Sequence, residues 1–267
     1  MDHHGRSMAR RPFLLALLLA VLLAGAGCGD GRSGGSDPAA GPTPGRMIRY
    51  MPLGDSITDG YDVEGGYRTL LWQLLVQEDG DKIDFVGSRA SGPPELGDKD
   101  NEGHGGWCID GPCGDPTGTH VVAPRIEEWV RASRPDIVSI HLGTNDIKKG
   151  ADGAETARRL DALVGRIYAV DPDVHVILCQ IVAARMDVPQ HDAYAAAVPG
   201  IADRYRAQGR SVAVVDLSRL LTVTVHYVDG THPTKVGYEL MARALHPAVS
   251  QAYREVAAAN PEAPGAG

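Results

Sequence analysis

Between residue 47 and about residue 255, short apolar segments alternate with longer segments in which apolar residues recur every three or four positions. The short segments predict buried β-strands, and the longer ones predict amphipathic helices that connect one strand to the next. The predicted strands span 48–53, 83–86, 137–142, 174–181 and 212–215. The predicted helices span 67–78, 120–132, 154–169, 193–208 and 235–254.

The predicted strands are apolar along almost their whole length, which is typical of parallel strands covered by helices on both faces. The alternation therefore predicts one α/β domain over 47–255, a three-layer α/β/α sandwich around a five-stranded parallel sheet. The segment 87–118 shows neither period and is rich in Gly, Asp and Pro. We expect a functional loop there, because loops of this length inside compact domains usually carry function.

The first 28 residues have the pattern of an export signal. Basic residues precede an apolar run over 13–26, which small residues follow, and the run is too short for a transmembrane helix. The segment 29–46 is rich in Gly, Ser, Pro and Asp, which predicts a flexible linker, and we expect a disordered tail over 256–267. The sequence thus predicts a secreted protein.

Two cleavage sites fit the end of this export signal. Residues 24–26 suit an ordinary signal peptidase, whereas residues 25–28 resemble a bacterial lipobox that departs from the usual pattern at Gly25, where Leu is common. In the second case Cys28 would carry a lipid and tether the protein to the outer face of the cell membrane. Both alternatives stay open.

Composition and charge exclude two classes of protein. With 43% apolar and 22% charged residues, the bulk of the chain is not disordered. A net charge of -8 makes the surface repel nucleic acid and anionic lipid headgroups, so we expect no nucleic-acid partner. We also expect a monomer.

Three cysteines follow the export signal. Cys108 and Cys113 lie in a loop of Gly, Pro and Asp, and in an oxidising compartment a short-range disulfide is expected, with two free thiols as the alternative. Cys179 lies in an apolar run, which indicates a buried, inert thiol. No CxxC motif or paired-histidine spacing accompanies the cysteines, so we expect no metal site.

The first predicted strand ends at Gly54-Asp55-Ser56. Ligands bind at the carboxyl ends of strands in parallel sheets, so Ser56 stands where active sites form. Gly-Asp-Ser is also common in turns and at helix starts, and by itself the motif fits a structural serine better than a nucleophile.

The third predicted strand ends in a similar way, at Gly143-Thr144-Asn145-Asp146. The amide of Asn145 can donate a hydrogen bond to a negatively charged oxygen, and Gly143 allows a sharp turn. The structural alternative is an Asx turn that caps the following segment.

A carboxylate and an imidazole occur three positions apart before the last predicted helix, at Asp229 and His232. At this spacing the carboxylate can fold back onto one ring nitrogen and leave the other free to accept a proton from a serine hydroxyl. The alternative is an ordinary helix start, with Asp229 near the N-cap and Pro233 near the first helical position.

Taken together, these segments resemble the conserved blocks of the SGNH (GDSL-like) hydrolase family from residue 47 to about residue 250. The resemblance implies that Ser56 is the nucleophile, His232 its base and Asp229 the group that orients the imidazole. It also implies an oxyanion hole that consists of the backbone N–H groups of Ser56 and Gly106 and the side-chain amide of Asn145.

The glycine block of the family falls in the long loop, at 103–107. Gly106, which precedes Trp107, matches the family's oxyanion-hole glycine best, and Gly105 is the alternative. A flexible loop without a catalytic role is the structural alternative.

The resemblance implies a flavodoxin-like SGNH hydrolase fold and serine carboxylic ester hydrolysis through an acyl-enzyme, with no metal or organic cofactor. Segments 48–58, 84–88 and 102–107 look most like acetylxylan esterases of carbohydrate esterase family three, which remove acetyl groups from xylan and related polysaccharides. The expected partner is therefore an acetylated polysaccharide or a small ester. The alternatives are a lysophospholipase or acyl thioesterase of the same fold, and a catalytically silent, surface-anchored binding protein.

Overall fold

The structure, a computed structural model, describes residues 46–114 and 117–259. The predicted export signal, Cys28 and the linker up to residue 45 lie outside the described residues, as do residues 260–267 of the predicted tail. Within the described ranges, no helix has the length and apolar character needed to cross a membrane.

A seven-stranded sheet forms the centre of the described chain. Its strands are β1 Ile48–Gly54, β2 Ile83–Phe85, β3 Arg89–Ala90, β4 Asp100–Gly103, β5 Ile137–His141, β6 His175–Gln180 and β7 Val212–Asp216. The five predicted strands are all present and parallel, in the spatial order β2-β1-β5-β6-β7. This is the flavodoxin-like order, in which the ligand site lies beside the first strand at the carboxyl edge.

The segment 87–118 is more regular than predicted, because it contains β3 and β4. β2 pairs with the first half of β1, and β4 continues along the same side with the pairs Leu53↔Glu102 and Gly54↔Gly103. The hydrophobic pattern misses β4 because its buried residues Asn101 and Glu102 are polar and are stabilised by internal hydrogen bonds. The predicted five-stranded sheet is therefore extended by two short strands.

Helices cover both faces of the sheet. In the described chain they are α1 Ser56–Asp59, α2 Gly66–Trp72, α3 Ile126–Ser133, α4 Thr144–Lys148, α5 Gly153–Val170, α6 Val188–Ala207 and α7 Lys235–Ala259, and α2 continues as a π-helical turn over Gln73–Glu78. One apolar cluster fills the space between the sheet and α3, α5 and α6, and a second lies between the sheet and α2 and α7. The predicted three-layer α/β/α sandwich is confirmed.

Several helix boundaries differ from the prediction. α6 begins at Val188 rather than at residue 193, because the Asp187 side chain caps it by accepting a hydrogen bond from the Gln190 backbone N–H. α3 begins at Ile126 rather than at residue 120, since the chain around Val121 is extended and pairs with Cys108. α7 continues to Ala259, four residues beyond the predicted end of the domain at 255.

Candidate active site

Ser56 is the first residue of α1, and only Asp55 separates it from the end of β1. The Asp55 carboxylate caps this one-turn helix by accepting a hydrogen bond of 2.9 Å from the Ile57 backbone N–H. The turn is tight at Gly54, where a Cβ atom would lie 2.0 Å from Oγ1 of Thr58. These constraints hold the Ser56 hydroxyl at the carboxyl edge of the sheet.

A hydrogen-bonded chain connects Ser56 to the loop that precedes α7. The Oγ atom of Ser56 lies 2.9 Å from Nε2 of His232, and Nδ1 of His232 lies 2.8 Å from Oδ2 of Asp229. The other carboxylate oxygen accepts hydrogen bonds of 2.8 Å from the backbone N–H groups of Thr231 and His232. One carboxylate therefore holds both the loop and the imidazole ring in place.

The charge of Asp229 sets the orientation of the imidazole. Partial burial raises the pKa of this carboxyl, but hydrogen bonds from the backbone and ring of His232 outweigh that effect and lower the pKa to about 2. The ionised carboxylate accepts a hydrogen bond from Nδ1–H, so the lone pair of Nε2 faces the Ser56 hydroxyl. This arrangement allows His232 to act as a general base.

Tyr61 is a residue of the site that the sequence analysis missed. Its ring centroid lies 4.4 Å from that of His232, and the side chain is 55% exposed. It thus covers one side of the base and offers a free aromatic surface beside the reacting atoms. An aromatic residue five positions after the candidate nucleophile is the one signal that could have indicated it.

Asn145 lies in α4, which follows β5 through Gly143 at a φ of 122°. Its Nδ2 atom donates to the carbonyl oxygen of Trp107 at 2.9 Å and lies 3.4 Å from Oδ2 of Asp55. The amide is therefore placed between the turn that carries Ser56 and the glycine-rich loop, where a developing oxyanion would need a donor.

The glycine-rich loop contacts the nucleophile through a tight turn. The Trp107 backbone N–H donates to the His104 carbonyl at 3.2 Å, and Gly106 has a φ of 78°. A Cβ atom at Gly105 would lie 3.9 Å from Cβ of Ser56. No group in the described chain accepts a hydrogen bond from the backbone N–H of Ser56, Gly105 or Gly106. The choice between Gly105 and Gly106 as oxyanion donor stays a prediction.

Two buried carboxylates brace these loops. Burial raises the pKa of Asp55 to about 7, and the hydrogen bond from Ile57 opposes this effect. Asp146 is fully buried, and its oxygens accept hydrogen bonds of 2.9 Å from the Arg159 guanidinium and the Ile109 backbone N–H. The sequence analysis gave Arg159 no role, yet this ion pair fastens α5 to α4, and Arg159 also donates a hydrogen bond of 2.7 Å to the Asp110 carbonyl in the segment after the glycine turn.

The predicted disulfide between Cys108 and Cys113 is present. It closes a small loop that begins directly after Trp107, so it restrains the chain next to the glycine turn. Cys179 is a buried free thiol, and burial raises its pKa to about 12, as expected for an inert core residue.

Among the residues that the structure describes, one group has metal-ligand geometry: Asp62, Asp229 and His232, whose ligand atoms lie within 4.8 Å of one another. Two of these residues already form the hydrogen bonds that orient the imidazole. A metal ion at these atoms would compete with that chain, and the chemistry described above does not require one.

A serine hydroxyl, an imidazole and a carboxylate in one hydrogen-bonded chain, beside a glycine turn and an amide donor, define a serine hydrolase. Residues 53–240 match the sequence profile of the GDSL-like lipase/acylhydrolase family. The chain belongs to that family and is an SGNH-type serine carboxylic ester hydrolase.

The chain is similar to solved structures of carbohydrate-active esterases. A family 3 carbohydrate esterase from Clostridium thermocellum is 32% identical with a TM-score of 0.69, and the match covers 79% of this chain and 100% of that one. An acetyl esterase mutant with a bound acetate ion is 28% identical with a TM-score of 0.67, at the same coverage of 79% and 100%. The resemblance to carbohydrate esterase family three is thus confirmed.

A curated relative is a multidomain esterase from Ruminococcus flavefaciens. It is 26% identical over an alignment of 218 positions, and the match covers 73% of this chain. The chain spans 28% of the length of that relative.

Proposed function

We propose that this enzyme removes O-acetyl groups from xylan or a related polysaccharide. The observation that carries the proposal is the hydrogen-bonded chain of Ser56, His232 and Asp229 in a domain similar to a family 3 carbohydrate esterase and to an acetyl esterase. The exposed ring of Tyr61 supports a saccharide substrate, because aromatic surfaces beside a site provide apolar contact area for sugar rings.

In the proposed reaction, His232 takes the proton of the Ser56 hydroxyl while the oxygen attacks the acetyl carbonyl carbon. The carbonyl oxygen gains negative charge and accepts hydrogen bonds from the backbone N–H groups of Ser56 and Gly106 and from the Asn145 amide. The C–O bond to the sugar then breaks, and the protonated His232 donates its proton to the leaving alkoxide. Asp229 stabilises the imidazolium throughout.

Water completes the cycle. His232 takes a proton from a water molecule, whose oxygen attacks the acetyl-Ser56 ester. The second tetrahedral intermediate collapses to acetic acid, which ionises to acetate in solution, and His232 returns its proton to the Ser56 oxygen. Each step uses groups of this chain and water alone.

We further propose that the enzyme acts outside the cell. The N-terminal export pattern and the disulfide between Cys108 and Cys113 both support an oxidising compartment. Anchoring through a lipid on Cys28 is the alternative to free secretion. The intact mass of the exported protein distinguishes the two, because a diacylglyceryl-modified Cys28 adds lipid mass to a chain that begins at that residue.

Hydrolysis of a graded ester panel tests the substrate class. We expect the highest kcat/KM on p-nitrophenyl acetate, lower values on butyrate and octanoate esters, and release of acetate from acetylated xylan. The Ser56→Ala variant should be inactive, whereas Ser211→Ala, at an exposed position before β7, should match the wild type.

Other results of the same panel would overturn the proposal. Rates that rise beyond butyrate would favour a lysophospholipase or thioesterase. Failure of a fluorophosphonate probe to label Ser56 would favour the silent binding protein.

A further inference from the structure

The turn beside Ser56 is closed by side chains as well as by its backbone. His104 and Trp107 occupy the two ends of the turn, and their rings stack with centroids 4.4 Å apart and an interplanar angle of 29°. The turn between them contains Gly105 and Gly106, whose backbone N–H groups face no acceptor in the described chain. The stacked pair therefore fixes the distance between the ends of the segment expected to supply an oxyanion donor.

His104 also contacts the helical scaffold. The ring of Trp129, in α3, lies parallel to it with centroids 4.5 Å apart and an interplanar angle of 6°. The centroids of the two indole rings lie 6.0 Å apart, so the three rings form one aromatic cluster, in which His104 is only 8% exposed. This cluster connects the turn to a helix that is packed against the sheet.

The edge of the His104 ring is fixed by a buried carboxylate. Its Nε2 atom lies 2.6 Å from Oε1 of Glu102, a fully buried residue of β4. Ser88 donates to the same carboxylate from its backbone N–H at 2.7 Å and from its hydroxyl at 2.6 Å. The backbone N–H of His104 also donates to the Gly54 carbonyl at 2.9 Å, two residues before the nucleophile. The position of His104 is thus determined by three separate elements.

The same turn carries two more restraints. The Trp107 carbonyl accepts the hydrogen bond from Asn145, and the Gly106 carbonyl accepts one of 2.7 Å from Nζ of Lys149. A shift of Trp107 would therefore displace both the glycine turn and the Asn145 amide.

We propose that His104 is a positioning residue for ester hydrolysis, which holds the Gly105-Gly106 turn and Trp107 where the oxyanion donors must be. His104 does not contact the reacting atoms and acts through the stack and through Glu102. The proposal rests on the esterase function of the site but not on the identity of the polysaccharide. A preorganised donor stabilises the transition state much more than a donor that must first be ordered. Loosening the turn therefore reduces the rate of the chemical step.

Steady-state kinetics with p-nitrophenyl acetate test the proposal. We expect His104→Gln to lower kcat by about 10- to 100-fold, somewhat less than the loss of a whole oxyanion donor, with KM changed by less than about threefold. The matched control is His246→Gln, because His246 also lies 2.6 Å from a carboxylate, that of Asp79, but stands on α7 away from the turn. This control should keep the wild-type kcat.

A second pair of variants covers the case in which His104→Gln fails to fold. Trp129→Phe keeps an aromatic surface against His104 and should retain kcat within about threefold, whereas Trp129→Leu should lower kcat in the same direction as His104→Gln. The double variant His104→Gln/Gly106→Ala should be no slower than the slower single variant, because both changes disturb one turn.

The proposal is overturned if His104→Gln and Trp129→Leu lower only the free energy of unfolding and leave kcat unchanged, or if the two effects in the double variant multiply. A wild-type protein that cleaves p-nitrophenyl acetate but not acetylated xylan would contradict the proposed substrate alone. It would leave the role of His104 intact.

Discussion

Alanine substitutions at two adjacent glycines test how the turn beside Ser56 presents its backbone N–H groups. Gly106 has a φ of 78°, in the left-handed region, whereas a Cβ atom added there would meet no other atom within 4 Å. The cost of Gly106→Ala is therefore conformational and not steric. At Gly105 a Cβ atom would make an ordinary contact of 3.9 Å with Cβ of Ser56, and the backbone is not left-handed.

The expected loss of kcat in Gly106→Ala follows from the left-handed backbone at Gly106. A left-handed backbone costs an L-residue about 1–2 kcal/mol relative to glycine. Rotation of the peptide between Gly105 and Gly106 relieves that cost and turns the Gly106 N–H away from the oxyanion. The fraction of enzyme in the competent conformation then falls by about 5- to 30-fold, and kcat falls in proportion. Gly105→Ala keeps the competent turn and should stay within about twofold of the wild type.

Initial rates of p-nitrophenyl acetate hydrolysis under saturating conditions measure the effect, and urea unfolding measures stability in parallel. Gly106→Ala should lower the free energy of unfolding by no more than about 2 kcal/mol. A larger loss of kcat in Gly105→Ala than in Gly106→Ala would refute the reasoning and identify Gly105 as the oxyanion donor.

Three further outcomes are expected. Asn145→Ala should lower kcat by about 10²- to 10³-fold with little change in KM, because one oxyanion donor lowers the activation free energy by about 3–4 kcal/mol. Steady-state rates measure this effect, and an unchanged kcat would exclude Asn145 from the oxyanion hole. The double variant Cys108→Ser/Cys113→Ser should lose about 2 kcal/mol of unfolding free energy in urea, since the cross-link joins residues five positions apart, and reductant should bring the wild type to the same value. Asp229→Asn should be less stable than the wild type above about pH 4. Because the pKa of Asp229 in the folded protein is lowered from 3.8 to about 2, this difference in stability should shrink as the pH falls from about 4 to about 2. A pH-independent difference in urea midpoints would contradict the ionised state of Asp229 in the folded protein.

The sheet could be predicted to the extent that its strands are apolar. β5 is buried along its whole length and stands out in the sequence as a mostly apolar run, interrupted by Ser139, that ends at His141. β4 could not be found in this way, because its interior positions are Asn101 and Glu102, whose polar atoms are paired inside the protein. A pattern of apolar residues cannot reveal a strand whose buried residues are polar and paired by hydrogen bonds.

The active site likewise contains residues that the sequence predicts and contacts that it does not. Ser56, Asn145 and His232 could be proposed because each falls in a short motif, and the first two of these motifs end predicted strands. The packing of His104 against Trp129 could not be predicted, since Trp129 lies 25 positions later in the chain and reaches the ring only through the packing of α3. Contacts that depend on how one helix packs on the sheet have no short-range sequence signal.

The hydroxyl of Ser56 and the imidazole it meets are separated by 176 positions, whereas the imidazole and its carboxylate are separated by three. The imidazole and its carboxylate are therefore brought together by local contacts, whereas the hydroxyl reaches the imidazole only through long-range packing. Ester cleavage thus requires that the opening strand and the closing helix pack together, which makes turnover a direct report of native topology.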